Sequence, residues 1–496
     1  MNKHLKKWTI LTIILASLSI LFMGATFEKK VKNVIFLIPD GMSVGGTTLT
    51  RWYQGGKALS FDEWACGLVR TYSSDAPIAD SAPAATAFAT GYKSHTGYIG
   101  VLPDVADMPG LTPIAKGDEK RPVATILEAA KLAGKSVGLV STSQLQHATP
   151  AAFSSHWPSR RDMQIIGEQQ VYNHIDVALG GGLNYLLDNK RGDKENLIAE
   201  LKNNGYGVVF TRNNMLDSQE PKLFGLFSAE GMSYDMDRDP TVQPALVEMT
   251  NKAIEMLSKN KTGFFLVVEG SEIDWAAHAN DPVGVVGDIL AFDRAVQAAL
   301  DFAKKDKNTV VIIASDHGNS GLTIGNRDTN SGYDAKPLSA FVQNLKKAKL
   351  TAEGVEKLIN PDMPATEIRG IIAEQYGIAD LTADEEVQIL TYFQQVKNKD
   401  KNKPEGLNYV LGPMMAKRNF LGFTTNGHTG EEVVLYVYSP NNERLTGVVE
   451  NTDIALYMEK ILGLNLKAAT DKLFVNAKKP LESKGATIVE GENGVK

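Results

Sequence analysis

The chain has 496 residues, 43% of them hydrophobic and 22% charged, with a formal net charge of −6 and an isoelectric point near 5.9. This is globular composition, long enough for two or three domains or one large domain with insertions. The acidic balance offers no broad basic surface and argues against a nucleic-acid partner, and the single cysteine, Cys66, rules out an intrachain disulfide framework.

Lys3, Lys6 and Lys7 precede an apolar run from Trp8 to Met23. The run is short for a membrane span and dotted with Ser and Thr, and it reads as an export signal over residues 1–25. The expected location is therefore periplasmic or extracellular. Gly24 and Ala25 are small enough for cleavage, but Met23 is a poor residue two places before Ala25. An uncleaved anchor stays open, and membrane attachment is expected only in that case. No cysteine follows the run for lipid attachment. Without disulfides, an exported chain relies on its core and on any bound metals.

Apolar runs of strand length then alternate with helical patterns. Residues 31–39, 136–142, 176–179, 207–211, 263–269, 309–315 and 432–439 read as strands, and 123–132, 247–259 and 283–304 as helices. Continuous apolar strands separated by helices predict an α/β fold, with a mostly parallel central sheet covered by helices on both faces. The expected globular domain spans 26–475. Gly180-Gly181-Gly182 reads as a tight loop after a strand; a phosphate-binding role is the weaker reading, because no Lys-Ser/Thr follows.

The segment from Gly318 to Gly427 is longer than a crossover needs. Thr382-Ala383-Asp384-Glu385 is a capping box opening a helix towards Val396. A second helix is expected from Thr366 to Tyr376, with Gly377 as its C-cap. Residues 330–420 thus read as a helical insertion subdomain. Residues 476–496 form a Gly- and charge-rich tail, expected to be loosely held. No internal repeat is visible.

The segment Asp80-Ser81-Ala82-Pro83-Ala84-Ala85-Thr86-Ala87 places a serine between an acid and an Ala-rich helix start. Pro83 suits a first turn. Ser81 then sits where free N–H groups and the positive end of the helix dipole converge, a site for phosphate. An ordinary N-cap serine explains this stretch equally well.

Other polar residues cluster after apolar runs. Asp40 ends the first strand, His147 and Thr149 follow the second, Glu269 ends another, and Asp316-His317 end a fourth. In open α/β sheets ligands bind beyond the carboxyl ends of strands. Asp274 and His278 are four apart, on one face of a helix, where they make a chelating pair or simply a local hydrogen bond. His428 precedes the last strand. His95, His156 and His174 have no partner pattern and read as ordinary core or surface residues. Mixed nitrogen and oxygen donors without thiolate suit a catalytic Zn²⁺. The all-oxygen set Asp40, Thr149 and Glu269 suits Mg²⁺.

With these residues in order, the chain resembles the alkaline phosphatases, metal-dependent phosphomonoesterases with a phosphoserine intermediate. The motifs are PDGM at Asp40, DSAPAATA, TGYKSHTGYIGV, QHATPAAFSSHWPSR, LGGG, VEGSEIDWAAHAND, SDHG and HTG. The resemblance runs from about Lys32 to Leu464. It implies Ser81 as nucleophile and Arg160 as phosphate clamp. It implies Asp274, His278 and His428 as ligands of one zinc, and Asp40, Asp316 and His317 of a second that also binds Ser81. Asp40, Thr149 and Glu269 are the implied magnesium ligands. Two positions depart from the best-known bacterial pattern, which has Asp at His147 and Lys at Trp275. These changes put the third metal in doubt and imply weaker phosphate binding. The resemblance further implies in-line displacement, broad phosphomonoester specificity, phosphate as product and inhibitor, and a homodimer.

Two rivals remain. A phosphodiesterase or sulfatase of the same wider superfamily shares strand-end ligands, but those phosphodiesterases often use Thr as nucleophile and lack the Asp-Ser-Ala setting, and sulfatases need a C/S-x-P-x-R motif, whereas here Ser81 is followed by Pro83 with Thr86 in place of any nearby arginine. A non-catalytic exported metal- or phosphate-binding protein should have lost a nucleophile or a ligand, and none is missing.

Overall fold

The run after Val31 forms strand β1 (Asn33–Pro39), buried along its whole length. In chain order there follow β2 (Ala65–Arg70), β3 (Ser136–Gln144), β4 (Val177–Gly181), β5 (Gly207–Val209), β6 (Leu223–Leu226), β7 (Phe264–Gly270) and β8 (Thr309–Ala314). Four two-residue strands come next: β9 (Gly318–Asn319), β10 (Thr323–Ile324), β11 (Leu421–Gly422) and β12 (His428–Thr429). The last two in the main sheet are β13 (Val433–Tyr438) and β14 (Gly447–Glu450). This computed structural model describes residues 31–475, 483–484, 490–491 and 494–495. The expected export signal at 1–25 lies outside them, as does most of the 476–496 tail.

Ten strands make one sheet in the order β14-β2-β13-β8-β1-β7-β3-β4-β6-β5. β1 runs parallel to β7 and β8, and β3 runs parallel to β7 and β4. Only β13 runs against its neighbours, β2 and β8. The predicted α/β fold with a mostly parallel sheet is therefore observed. β2, β6 and β14 have no counterpart in the sequence reading. β2 shows why: its ACGLVR stretch buries only one residue, so it lacks both the continuous apolar run and the strict alternation that mark a strand. The triple glycine needs correction. Gly180 and Gly181 belong to β4, and only Gly182, at φ +98°, turns. A Cβ on Gly181 would meet the Glu230 carbonyl at 2.1 Å, so close backbone approach, not loop flexibility, explains glycine there.

Alternation sorts the buried strand residues onto two faces. Ile35, Leu37, Val311 and Ile313 join one buried cluster, while Val34, Phe36, Val310 and Ile312 join the other. Both faces are apolar because both carry helices. The relevant helices are α1 (Ser81–Thr90), α2 (Ala148–Ser154), α3 (Glu272–His278), α4 (Pro282–Asp306), α5 (Ala383–Lys397), α6 (Asn408–Arg418) and α7 (Asn451–Leu462). α4 covers the first face through Phe292, Ala295 and Ala299. α1 and α7 lie on the second. Phe36 of β1 meets Phe88 of α1 edge to face at 5.2 Å. Such a pair adds about 0.5–1.5 kcal/mol to area burial, and it locks the helix that carries Ser81 onto the central strand.

The capping box at Thr382 forms as expected: the Thr382 hydroxyl accepts from the Glu385 N–H, and Glu385 accepts from the Thr382 N–H, opening α5. The second expected helix is α-helical over Ala365–Ile371 and widens to a π turn over Ile372–Tyr376, with Gly377 at φ +84° ending it. Tyr376, Tyr392, Leu411 and Met415 of this region share the buried cluster that α4 caps. The Tyr376 hydroxyl donates to Asp281 at 2.7 Å, at the start of α4 and three residues past His278.

α6 comes closest to that turn at Gly412, where a Cβ would lie 2.8–2.9 Å from the Ala279 and Asn280 carbonyls and the Asp281 Cα. These are backbone atoms, so they yield only by moving the helix. Gly412→Ala is expected to destabilise the protein by about 1–3 kcal/mol, read as a lower urea midpoint with an unchanged slope.

Candidate metal centre

β8, β1, β7 and β3 are adjacent and parallel, so their carboxyl ends share one edge. Asp40 follows β1, Glu269 is the penultimate residue of β7, and Asp316-His317 follow β8. β13 is antiparallel to β8, so its amino end reaches the same edge and brings His428 with it. The β9–β12 ladder pairs His428 with Asn319. β2, antiparallel to β13, ends there too, and the chain passes from it to Ser81.

Three clusters result. Asp274, His278 and His428 have donor atoms within 4.8 Å of one another; so do Asp40, Asp316 and His317, and so do Asp40, His147 and Glu269. In the first, the His278 Nδ1–H donates to the Asn426 carbonyl at 2.5 Å and the His428 Nδ1–H to the Ala79 carbonyl at 2.8 Å. Those bonds fix the tautomers and leave both Nε2 lone pairs facing inward, 3.1 Å apart. Two lone pairs at that distance call for a shared cation. Asp274 Oδ2 lies 3.3 Å from His278 Nε2, and Asp274 is itself held by the Asn319 amide at 2.6 Å. The chelating reading of the Asp274–His278 pair therefore includes the local contact rather than competing with it.

In the second cluster the His317 Nδ1–H donates to the Gly318 carbonyl at 3.1 Å. Its Nε2 lies 3.2 Å from Asp316, 3.6 Å from Asp40 and 3.1 Å from Ser81 Oγ. The His317 and His428 rings stack at 3.6 Å, joining the two clusters. In the third, Glu269 Oε2 accepts from Ser141 at 2.5 Å. Thr149 is fully buried on α2. Among the described residues, both oxygens of Asp40, Asp316 Oδ2, Glu269 Oε1 and Thr149 Oγ1 are buried with no hydrogen-bond partner. Orphaned buried acceptors of this kind are costly unless a cation meets them.

The electrostatics agree. Burial, then Asp316 and Asp274, push Asp40 well above the usual carboxylate range. Burial lifts Glu269 to about 7 against the bonds from Ser141 and Ser271. Burial opposes Asp274 ionising, yet the His278 bond and the surrounding imidazoles hold it below its ordinary value. Burial lowers His317, but Asp316 and Asp274 overcome it and raise the ring to about 9. Four carboxylates this close need positive charge among them.

His147 and Trp275 are the two departures from the best-known bacterial pattern, expected to lie beside the metal ligands. The structure brings His147 within ligand distance of Asp40 and Glu269. Burial and then Arg160 lower its pKa to about 3, so it stays neutral. Trp275 packs edge-on against it at 5.9 Å. Arg160 bonds Asp80 and, at 3.0 Å, His147 Nε2. Asp80 is the N-cap of α1 and Ser81 its first residue, so the N-cap reading of Ser81 fails by one position. Sequence reasoning missed Ser141 and Ser143, the second of which approaches Glu269 at 3.4 Å; the Ser-Thr-Ser run at the end of β3 was the available signal. It also missed His156, which is partnered by Glu128 at 2.9 Å and the Gly100 carbonyl at 2.7 Å. A fourth acidic group, Glu168, Asp193 and Glu195, surrounds the buried guanidinium of Arg191, which already pairs with all three.

Ser81, Arg160, Asp274 and His428 line a cavity of about 620 Å³. Part of its wall comes from the segment between β10 and β11, through Glu353, Glu356, Glu405 and Tyr409. No sequence motif marks those four.

A family model described as alkaline phosphatase matches residues 31–464. Alkaline phosphatase 3 of Bacillus subtilis is 37% identical over 455 residues, 89% of this chain and 91% of that protein. Alkaline phosphatase 4 of the same organism is 37% identical over 453 residues, 88% of this chain and 89% of that protein. Among solved structures, the Thermus thermophilus alkaline phosphatase superposes with a TM-score of 0.77 at 26% identity, over 88% of this chain and 92% of that one. A cold-active alkaline phosphatase from Shewanella sp. gives 0.74 at 28%, over 87% and 99%.

Gly41 carries the clusters' tightest backbone constraint. It sits at φ +64°, its N–H donates to Asp316 at 3.2 Å, and a Cβ would lie 2.5 Å from Asp274 Oδ1. Gly41→Ala is expected to weaken divalent-metal binding by roughly 10–100-fold, measured by calorimetric titration of the metal-stripped protein.

Proposed function

This chain belongs to the alkaline phosphatase family and is a metal-dependent phosphoric monoester hydrolase, and on that premise we propose that it works through a phosphoserine formed on Ser81. The observation that carries this reading is the placement of Ser81. It is the first residue of α1, nearly buried, 3.1 Å from His317, and it lines the same cavity as Arg160. Asp274, His278 and His428 would hold one zinc, and Asp40, Asp316 and His317, with Ser81, a second. Asp40, Thr149 and Glu269 would hold magnesium, with His147 beside them. Bound there, the ions would supply Lewis-acid stabilisation of the attacking and departing oxygens.

The chain's own groups do the rest. Ser81 Oγ forms a bond to phosphorus as the ester O–P bond breaks. The Ser81 hydroxyl gives up its proton as this bond forms, the departing alkoxide takes up one proton in turn, and water later cleaves the phosphoserine to give inorganic phosphate and the free hydroxyl. Pro83 has no N–H, and the Ala84 N–H bonds the Asp80 carbonyl at 3.2 Å. The Ser81 and Ala82 N–H groups therefore point out of the helix start towards the phosphoryl oxygens. Asp80 and His147 orient the Arg160 fork, which can hold two of those oxygens at once. Trp275 supplies no cation and His147 stays neutral, so phosphate is held by Arg160 and the helix terminus with little further help. This supports weak product inhibition. The family likeness and the basic–apolar N-terminus support export and a homodimer. The same likeness supports a catalytic domain over 26–475 with its insertion at 330–420. No helix among the described residues is long and apolar enough to cross a membrane.

Hydrolysis of p-nitrophenyl phosphate from about pH 6 to 10 tests the reading. Ser81→Ala is expected to lose on the order of 10³-fold or more in kcat, and acid-quenched wild type to show a phosphate adduct on the Ser81 peptide by mass spectrometry. An adduct elsewhere, or a Ser81→Ala enzyme retaining a tenth of the activity, overturns it. Activity on a phosphodiester or sulfate ester alone supports the superfamily rival. Arg160→Lys is expected to lower kcat/KM by about 10–100-fold, the equivalent of one charged hydrogen bond, and to weaken phosphate inhibition in parallel. Chelation should abolish activity and lower Tm. Zinc with magnesium should restore both, since a ligand bound only to the folded state raises its stability.

A further inference from the structure

The cavity is charged asymmetrically. One end holds Ser81 and Arg160, where the phosphoryl group must sit. The insertion wall presents three carboxylates, Glu353 and Glu356 from the short helix Ala352–Glu356 and Glu405 from the loop before α6. Among the described residues, Arg160 is the one Lys or Arg side chain lining the cavity, and it is already paired with Asp80. An acidic wall repels the dianionic substrates of a phosphatase, so it calls for a reason.

The aromatic residues point to one. Trp275, Tyr234 and Tyr409 line the same cavity. The Tyr409 hydroxyl donates to Glu405 at 3.0 Å, which fixes the ring beside the carboxylates. Tyr409 lines the same cavity as the proposed metal ligands Asp274, His278 and His428. Aromatic faces combined with carboxylates recognise an ammonium or quaternary ammonium group. In an in-line displacement the alcohol departs on the side opposite the serine, into the remainder of this cavity.

Resting on the function proposed above, we infer that Glu353, Glu405 and the aromatic wall form a leaving-group subsite selecting phosphomonoesters of cationic amino alcohols. The positive charge of such an alcohol offsets the repulsion that the wall exerts on its own phosphate. Glu356 has a supporting part: it accepts from the Tyr392 hydroxyl and the Leu407 N–H, fixing the Glu405 loop to the helix. Glu353 is partly exposed and bonds Lys357 at 2.8 Å; Glu405 is exposed. Solvent screens both, so the selectivity is modest and falls with salt.

The test compares kcat/KM for phosphocholine with that for 3,3-dimethylbutyl phosphate, its uncharged isostere, using the full-length metal-loaded enzyme at low ionic strength. The expected wild-type ratio is about tenfold in favour of phosphocholine, the size of a solvated cation–aromatic and charge contact. The ratio should fall towards one in the double variant Glu353→Gln/Glu405→Gln and at high salt. A wild-type ratio near one overturns the inference without any variant. A high ratio that the double variant leaves unchanged overturns the assignment to these two residues. Hydrolysis of neither ester would count against the proposed function itself, which separates the two failures.

Discussion

Mutual repulsion among Asp40, Glu269, Asp274 and Asp316 governs this molecule. All four are buried at one edge of the sheet, and several of their oxygens have no donor among the described residues. Carboxylates so placed either take up protons or surround cations. The three imidazoles beside them decide between these outcomes. Each directs its Nδ1–H at a backbone carbonyl and its Nε2 inward. Histidines serving only as counter-charges would not need both tautomers and orientations fixed in this way. The edge is built to hold metal, and its stability without metal is correspondingly compromised.

The sheet topology is what allows such a concentration of charge. Parallel strands place their carboxyl ends together, and helix starts at the same edge add positive potential. The one antiparallel strand, β13, serves the same purpose in reverse. It lets two segments that run towards and away from the edge, Ser81 after β2 and His428 before β13, meet the ligands of β1, β7 and β8. Two apolar faces, each covered by helices, supply the burial that makes these charges interact strongly.

The segment between β10 and β11 supplies an acidic and aromatic part of the cavity wall. It is anchored next to the metal ligands by Gly412 packing on the turn after His278 and by Tyr376 bonding Asp281. Its acidic and aromatic side chains reach the cavity from residues 353 to 409, far along the chain from Ser81.

The sequence by itself determined the parallel core, because continuous β-branched runs between amphipathic helices admit few other arrangements. It also determined the chemistry of the edge, since Asp40, Glu269 and Asp316-His317 each follow an apolar run and Asp274 and His278 share one helix turn. These are local patterns, set by spacing along a single strand or helix. Tertiary structure alone decided the rest. β2 is too exposed to announce itself, yet it delivers Ser81. Gly180 and Gly181 look like a loop and are strand, because what requires them is close approach from elsewhere: the Ser141 carbonyl at Gly180 and the Glu230 carbonyl at Gly181. His147 joins Asp40 and Glu269, and Glu353, Glu405 and Tyr409 join the cavity, through contacts between residues a hundred or more positions apart. Such contacts leave no periodicity in the chain, since only the closed fold brings those side chains within reach of one another.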